Sequence, residues 1–216
     1  MMTEHLLSLL VWLPLFAALV VLFSPRQSVR FIRVFTIAAM LLELVLSFAL
    51  LTAQYDTPRY QFVERAVLVE QVGITYTLGV DGISLWLVLL TTLLSPIATF
   101  ASWTSINTKI KEYAFSFLLL ETGMLGAFVA LDLVLFYVFW ELMLIPMALI
   151  IGVWGGPRRV YAAIKFFLYT MIGSLLMLVA IIYLMILAKE QLGRHSTHLW
   201  VLIEQDVGEH ARLHLL

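Results

Sequence analysis

The sequence predicts an all-α fold, a polytopic transmembrane helix bundle with six spans. Three observations carry that prediction. The chain has 216 residues, of which 62% are hydrophobic and only 12% charged, whereas a soluble domain carries roughly 25% charged residues. The apolar residues lie in six long runs separated by polar punctuation, and each run can cross a hydrocarbon core of roughly 30 Å. A backbone in lipid must satisfy its own hydrogen bonds, so each run is expected to be helical.

The first span is 6–23, closed by Ser24-Pro25-Arg26. No basic stretch precedes this run and no small-residue cleavage site ends it, so it reads as a membrane helix and not as a cleavable signal. The second span is 31–53. Residues 54–82 form an outer loop. Its later part alternates in part, is rich in Val, Thr and Tyr, and is punctuated by Gly73 and Gly79. That pattern predicts a short strand pair lying on the membrane surface. Asp81 or Ser84 is placed to cap the third span, 83–105. The fourth span, 113–131, and the fifth, 133–154, nearly abut, with Asp132 at the turn. The fifth ends at Gly155-Gly156-Pro157, and the sixth covers 161–188. The tail, 191–216, is polar and His-rich, too short and too polar to cross, and reads as a surface helix or a frayed end. One membrane domain is expected.

Orientation follows from Lys and Arg near the span ends. Arg26, Arg30, Arg33, Lys109, Lys111, Arg158, Arg159 and Lys165 fall on one side, and Arg59, Arg65, Lys189, Arg194 and Arg212 on the other. The three short basic loops agree, which places them in the cytoplasm and both termini outside it.

Several chemistries find no support. The chain has no Cys, which removes disulfides, thiolate metal sites, iron–sulfur ligation and thiol nucleophiles. Of five His, four (His195, His198, His210 and His214) lie in the polar tail, and no metal site is expected. There is no basic stripe of the kind that binds nucleic acid. The partner that composition does demand is the lipid bilayer.

The informative residues are the charges inside the spans. Glu141 sits in the middle of the fifth, in Phe136-Tyr137-Val138-Phe139-Trp140-Glu141-Leu142. An ionised carboxylate at that depth costs several kcal/mol unless it is paired, hydrated or protonated, so such residues are candidate proton or ion relays. Glu141 is the main candidate for proton translocation. Glu121 lies in the fourth span, eleven residues before Asp132, and Glu141 lies nine after it. At 1.5 Å per residue they are roughly 16 and 13 Å from the turn. They therefore share a depth on neighbouring antiparallel helices, and if they face each other they cannot both be ionised cheaply. Glu121 is a further candidate for proton translocation; the alternative is a buried hydrogen bond to a neighbouring helix, helped by Thr122 and Gly123. Glu43 in the second span is also near mid-depth and is expected to face a polar seam or another subunit, with a part in transport as the alternative. Lys165, a weaker candidate for proton translocation, is a base inside the sixth span, about two turns from its basic end. It lies near 10 Å from the depth of Glu141, so a water-bridged relation is expected before a direct ion pair. Pro146 belongs to the same site, because it frees the carbonyl of Leu142 beside Glu141. Pro96 kinks the third span similarly, with Ser95 and Thr99 placed to satisfy the freed carbonyl. Gly123, Gly126, Gly173 and Ser174 read as small residues for close helix packing.

Two strings bring a family into view. Leu78-Gly79-Val80-Asp81-Gly82-Ile83-Ser84-Leu85 and Phe136-Tyr137-Val138-Phe139-Trp140-Glu141-Leu142-Met143-Leu144-Ile145-Pro146-Met147 resemble the antiporter-like membrane subunits of respiratory complex I, the NADH-quinone oxidoreductase. Ala162-Ala163-Ile164-Lys165-Phe166-Phe167-Leu168-Tyr169-Thr170, with Gly173-Ser174, strengthens the likeness, which covers nearly the whole chain. The resemblance implies an integral protein of the bacterial inner (plasma) membrane that translocates protons coupled to electron transfer from NADH to quinone. It implies no cofactor or metal in this chain, with NADH, flavin, iron–sulfur clusters and quinone held by partner subunits. It also implies other membrane subunits of complex I as partners. In the family the glutamate matching Glu141 pairs with a lysine on a seventh helix, and a second repeat follows. Both lie beyond the spans of this sequence, and Lys165 does not replace that lysine. The chain is therefore expected to be a fragment whose remainder lies elsewhere, or a truncated product. Two other readings stay open: a subunit of a multisubunit sodium/proton antiporter or membrane-bound hydrogenase, and a truncated scaffold that pumps nothing.

Overall fold

A computed structural model of the chain describes residues 5–53, 60–192 and 197. It contains six helices: α1 (Leu6–Phe23), α2 (Val29–Ser47), α3 (Gly82–Ala101), α4 (Ile110–Val129), α5 (Leu133–Trp154) and α6 (Arg159–Leu192). All six are long and apolar enough to cross a membrane. Most span limits agree with the sequence to within a few residues. α2 tightens into a 3-10 turn over Phe48–Thr52. α3 stops at Ala101, short of the expected 105, where the Ser102 hydroxyl donates back to the Thr99 carbonyl at 2.7 Å. α4 starts earlier than expected, directly after Lys109, whose φ of 52° breaks the preceding chain direction. The tail expected as a surface helix or frayed end lies outside the described residues, apart from Thr197.

The strand pair is present. β1 (Gln61–Val69) and β2 (Ile74–Val80) form an antiparallel hairpin, joined by a 3-10 turn and Gly73 at φ 71°. Glycine suits that left-handed position because it has no Cβ to clash. Asp81 and Ser84 both cap α3. The Asp81 carboxylate accepts from the Ser84 N–H at 2.7 Å, and the Ser84 hydroxyl accepts from the Asp81 N–H at 2.9 Å, a reciprocal capping box.

α4 is the central helix, packed against α1, α2, α3 and α5, while α6 packs on α5 at the edge. Gly123 and Gly126 let α4 and α5 approach closely. A Cβ on Gly123 would lie 2.5 Å from Met143 Cγ, and one on Gly126 would overlap the Phe139 ring. The packing role read for these two glycines holds. At Gly173 an added Cβ would meet nothing within 4 Å among the described residues, so the packing read there has no partner among these six helices.

The two ends of the bundle are tied differently. At the basic end, Lys111 donates to the Ser24 carbonyl at 2.9 Å, Arg33 to the Ile106 carbonyl at 2.7 Å, and the Trp154 indole to the Thr108 carbonyl at 2.9 Å. Arg26 and Glu112 form an ion pair at 3.0 Å. At the other end the hairpin is clamped by two buried acids. Glu64 of β1 accepts from the Leu7 N–H at 2.7 Å, from the Ser8 N–H at 3.2 Å and from the Ser8 hydroxyl. It thereby supplies the negative charge favoured at the N-terminus of α1, where His5 provides no side-chain cap. Tyr76 of β2 accepts from the Trp12 indole at 2.9 Å and meets the Ser8 hydroxyl at 3.0 Å. Burial raises its phenol above the ordinary 10.0, opposed by the hydrogen bonds to Ser8 and Trp12 and assisted by the Glu64 charge. Asp132 is the second clamp. One carboxylate oxygen caps α5 through the Val134 and Leu135 N–H groups at 2.9 and 3.2 Å. The other accepts from the Thr75 N–H at 3.0 Å, the Thr75 hydroxyl at 3.1 Å and the Thr197 hydroxyl.

Candidate functional site

Glu141 stands on the face of α5 turned toward α6. The α4-facing side of α5 is marked by Phe139 and Met143, and Glu141 lies roughly 200° round the helix from Phe139. Gly152, which points within about 20° of the same direction, approaches Ala163 of α6, where an added Cβ would come to 3.3 Å. Counting eleven residues along each antiparallel helix from that contact brings Glu141 level with Ser174. Tyr137, one turn before Glu141, bridges the level: its phenol lies against both the Glu141 carboxyl and the Ser174 hydroxyl. Glu141 Oε1 is buried without a hydrogen-bond partner among the described residues. Pro146 is buried in α5, and by its chemistry leaves the neighbouring Leu142 carbonyl without its helical donor.

Lys165 does not join this site. It is exposed on the chain surface. It lies roughly 200° round α6 from Ala163, and nine residues, about 13 Å, below the level of Ser174. It instead lines an open cavity of about 920 Å³ at the basic end with Arg158, Arg159, Tyr161 and Tyr169.

Glu121 shares the depth of Glu141 but not its side. Gly123 packs beside the Phe139 carbonyl and the Met143 N–H, which sets 121 and 141 within about one turn of the same level. Glu121, however, lies roughly 160° round α4 from Gly123 and points away from α5. The two carboxyls do not face each other. Glu121 is close enough to Glu43 of α2 for their charges to interact, and Ser95 of α3 lies beside it. Glu43 and Glu121 are both fully buried, so Glu43 faces the interior seam and not another subunit. The hydrogen bond expected for Glu121 is absent: neither oxygen of Glu43 or of Glu121 has a partner among the described residues. Ser95 is turned to Glu121, and Thr99 donates to Met40 Sδ at 3.3 Å, so these two are not spent on the carbonyl freed by Pro96.

Sequence reasoning passed over Tyr137 and took Ser174 for packing. The signal for Tyr137 was its i,i+4 spacing to Glu141, which puts two polar tips on one helix face. The meeting of Glu43 with Glu121 had no signal in spacing, because it depends on how α2 and α4 are rotated.

The comparisons with known proteins agree with the geometry. Residues 130–204 match a family described as NADH:quinone oxidoreductase/Mrp antiporter, transmembrane. NADH-quinone oxidoreductase subunit M of Rhodobacter capsulatus is 47% identical over 191 residues, which are 86% of this chain and 36% of that protein. NADH-ubiquinone oxidoreductase chain 4 of Arabidopsis thaliana is 41% identical over 212 residues, 97% of this chain and 41% of the relative. A chain of respiratory complex I from Thermus thermophilus, solved with bound NADH, superposes with a TM-score of 0.77 at 28% identity, covering 92% of this chain and 39% of that one. The chain thus spans about two-fifths of the length of the relatives it matches. By sequence and fold together, it belongs to the antiporter-like membrane subunits of NADH-quinone oxidoreductase, the subunit M or chain 4 family, and fits the amino-terminal part of such a subunit.

Proposed function

We propose that the chain forms part of the proton-translocating membrane subunit of an NADH:quinone oxidoreductase in a bacterial inner membrane. Glu141 is the group whose charge changes during turnover. The observation that carries this reading is a mid-membrane carboxyl with one buried, unpartnered oxygen, aimed at a neighbouring helix. Such a group is stable only if its charge is matched from outside these six helices or removed by a proton, and switching between those two conditions is what a relay requires. Tyr137 and Ser174 hold its orientation. Lys165 acts at the basic end, without direct contact with Glu141. The subunit works beside other membrane subunits, and NADH, flavin, iron–sulfur clusters and quinone belong to its partners. Electron transfer would reach this chain only as a rearrangement of nearby charge.

The test is Glu141→Gln in the assembled complex, with proton uptake measured alongside NADH:quinone turnover. Gln keeps the shape and removes the titration, so translocation is expected to fall to background while assembly is unchanged. Full coupled pumping in that variant would overturn the proposal. Sodium-dependent exchange without any redox donor would point to a stand-alone antiporter instead.

A further inference from the structure

The Glu43 and Glu121 carboxyls pose a charge problem that the surrounding helices do not solve with a cation. Both residues are 0% exposed, and all four of their carboxyl oxygens are buried without a hydrogen-bond partner among the described residues. The elements packed round them are α1, α2, α3 and α4. α1 and α3 contain no charged residue at all. The bases of α2, Arg30 and Arg33, are at its start. Arg33 is engaged there with the Ile106 carbonyl and the Trp103 ring. On α4, Lys111 is held by the Ser24 carbonyl and Glu112 by Arg26. Arg33 and Lys111 each stand ten residues, about 15 Å, from the glutamate on their own helix.

Only hydroxyl groups remain nearby. Ser95 lies against the Glu121 carboxyl without closing a hydrogen bond. One turn beyond Glu43, the Ser47 and Thr92 hydroxyls bond each other at 3.0 Å. Hydroxyl dipoles do not neutralise two carboxylates, and an unpaired buried charge shifts to its neutral form instead. Two ionised carboxylates are also acceptors only, so neither can bond the other, whereas a protonated carboxyl is a donor to its partner.

We propose that Glu43 and Glu121 form a proton-binding carboxyl pair, enclosed between α2, α3 and α4, that carries a proton at neutral pH and stands on the opposite face of α4 from Glu141. The ligand is a proton and not a metal cation, because two carboxyls and one hydroxyl fall short of the six or so oxygens that a hard cation gathers. The pair does not rest on the role assigned to Glu141. With α4 as the shared wall, it gives the bundle two protonatable positions at similar depth in separate compartments.

Infrared difference spectroscopy on the isolated complex tests this. At pH 7 the wild type is expected to show a protonated-carboxyl C=O stretch that shifts in heavy water. The band should be lost in the double variant Glu43→Gln/Glu121→Gln and retained in Glu141→Gln. Superimposable carboxyl bands in wild type and double variant would overturn the proposal. If the double variant fails to assemble, Glu43→Gln and Glu121→Gln serve singly. Each removes one carboxyl of the pair, so the band should shift or vanish in each, and an unchanged band in both overturns the pair. A band that appears only when sodium is withdrawn would replace the proton by a bound cation. Because Glu141→Gln is read in the same spectra, failure of the pair and failure of the Glu141 reading are distinguishable.

Discussion

The outer hairpin and the membrane interior both bury acids, and they treat them in opposite ways. Glu64 and Asp132 lie at the hairpin, nearly or fully inaccessible, yet each is met by backbone N–H and hydroxyl donors from several segments. Glu43, Glu121 and Glu141 lie between helices and carry carboxyl oxygens that nothing among the described residues bonds. Burial is therefore a poor guide to role in this protein, and donor supply is the better one. A carboxylate met by donors from several segments ties those segments together. A carboxyl without such donors is, on the proposals made above, the one that takes up and releases a proton.

The sharpest way to break this contrast is Glu141→Gln. Coupled proton translocation should drop to background with the complex still assembled, as read by proton uptake against turnover. The largest structural effect should come from Asp132→Ala. It strips the cap from α5 and leaves the Thr75 donors buried, a loss of about 3 kcal/mol from a cap and charged hydrogen bonds. Its Tm in detergent should fall, while the variant that still assembles should keep its turnover. Glu64→Ala should cost about 1–2 kcal/mol at the start of α1, measured by thermal unfolding, again with normal pumping in the folded fraction. An outer acid whose loss stopped pumping in an intact complex would erase the distinction.

The smallest expected effect concerns Tyr76. Its folded-state phenol titrates above the ordinary 10.0 because burial disfavours the anion. The native state therefore holds that proton more tightly than the unfolded chain does. Its contribution to stability is complete below about pH 9 and is lost as pH climbs through 10 and beyond. Tyr76→Phe should cost about 1 kcal/mol at pH 8 through the lost Trp12 and Ser8 bonds. It should also flatten the alkaline decline of Tm, and an unaltered decline would assign that titration to another group.

Much of the bundle was legible in the sequence because hydropathy and span length are enforced by the lipid. The caps were legible too, since Asp81 with Ser84 and Asp132 have local partners at fixed offsets. Glu141 stood out by depth alone. Rotation of the helices about their axes was not legible, because all six spans are apolar on most of their surface and no polar face marks the inward side. That is why depth alone leaves open whether Glu121 faces Glu141, and gives no sign that it lies by Glu43. Gly123 and Gly126 did mark the α4–α5 seam, and read as a pair they already turn Glu121 away from it. The Asp132 clasp needed Thr75 and Thr197, residues 57 and 65 positions distant, which no local spacing reveals.

That clasp bears on how the protein is made. A chain emerges from the ribosome amino-terminus first. The hairpin residue Thr75 is waiting when Asp132 is synthesised, but Thr197 arrives only after all of α5 and α6. Until then the Leu133 N–H lacks the Thr197 carbonyl, 3.0 Å away in the finished fold. The bonds at Thr197 therefore close only once the sixth helix has been delivered, and until then the α4–α5 corner rests on Thr75 and the Asp132 cap alone.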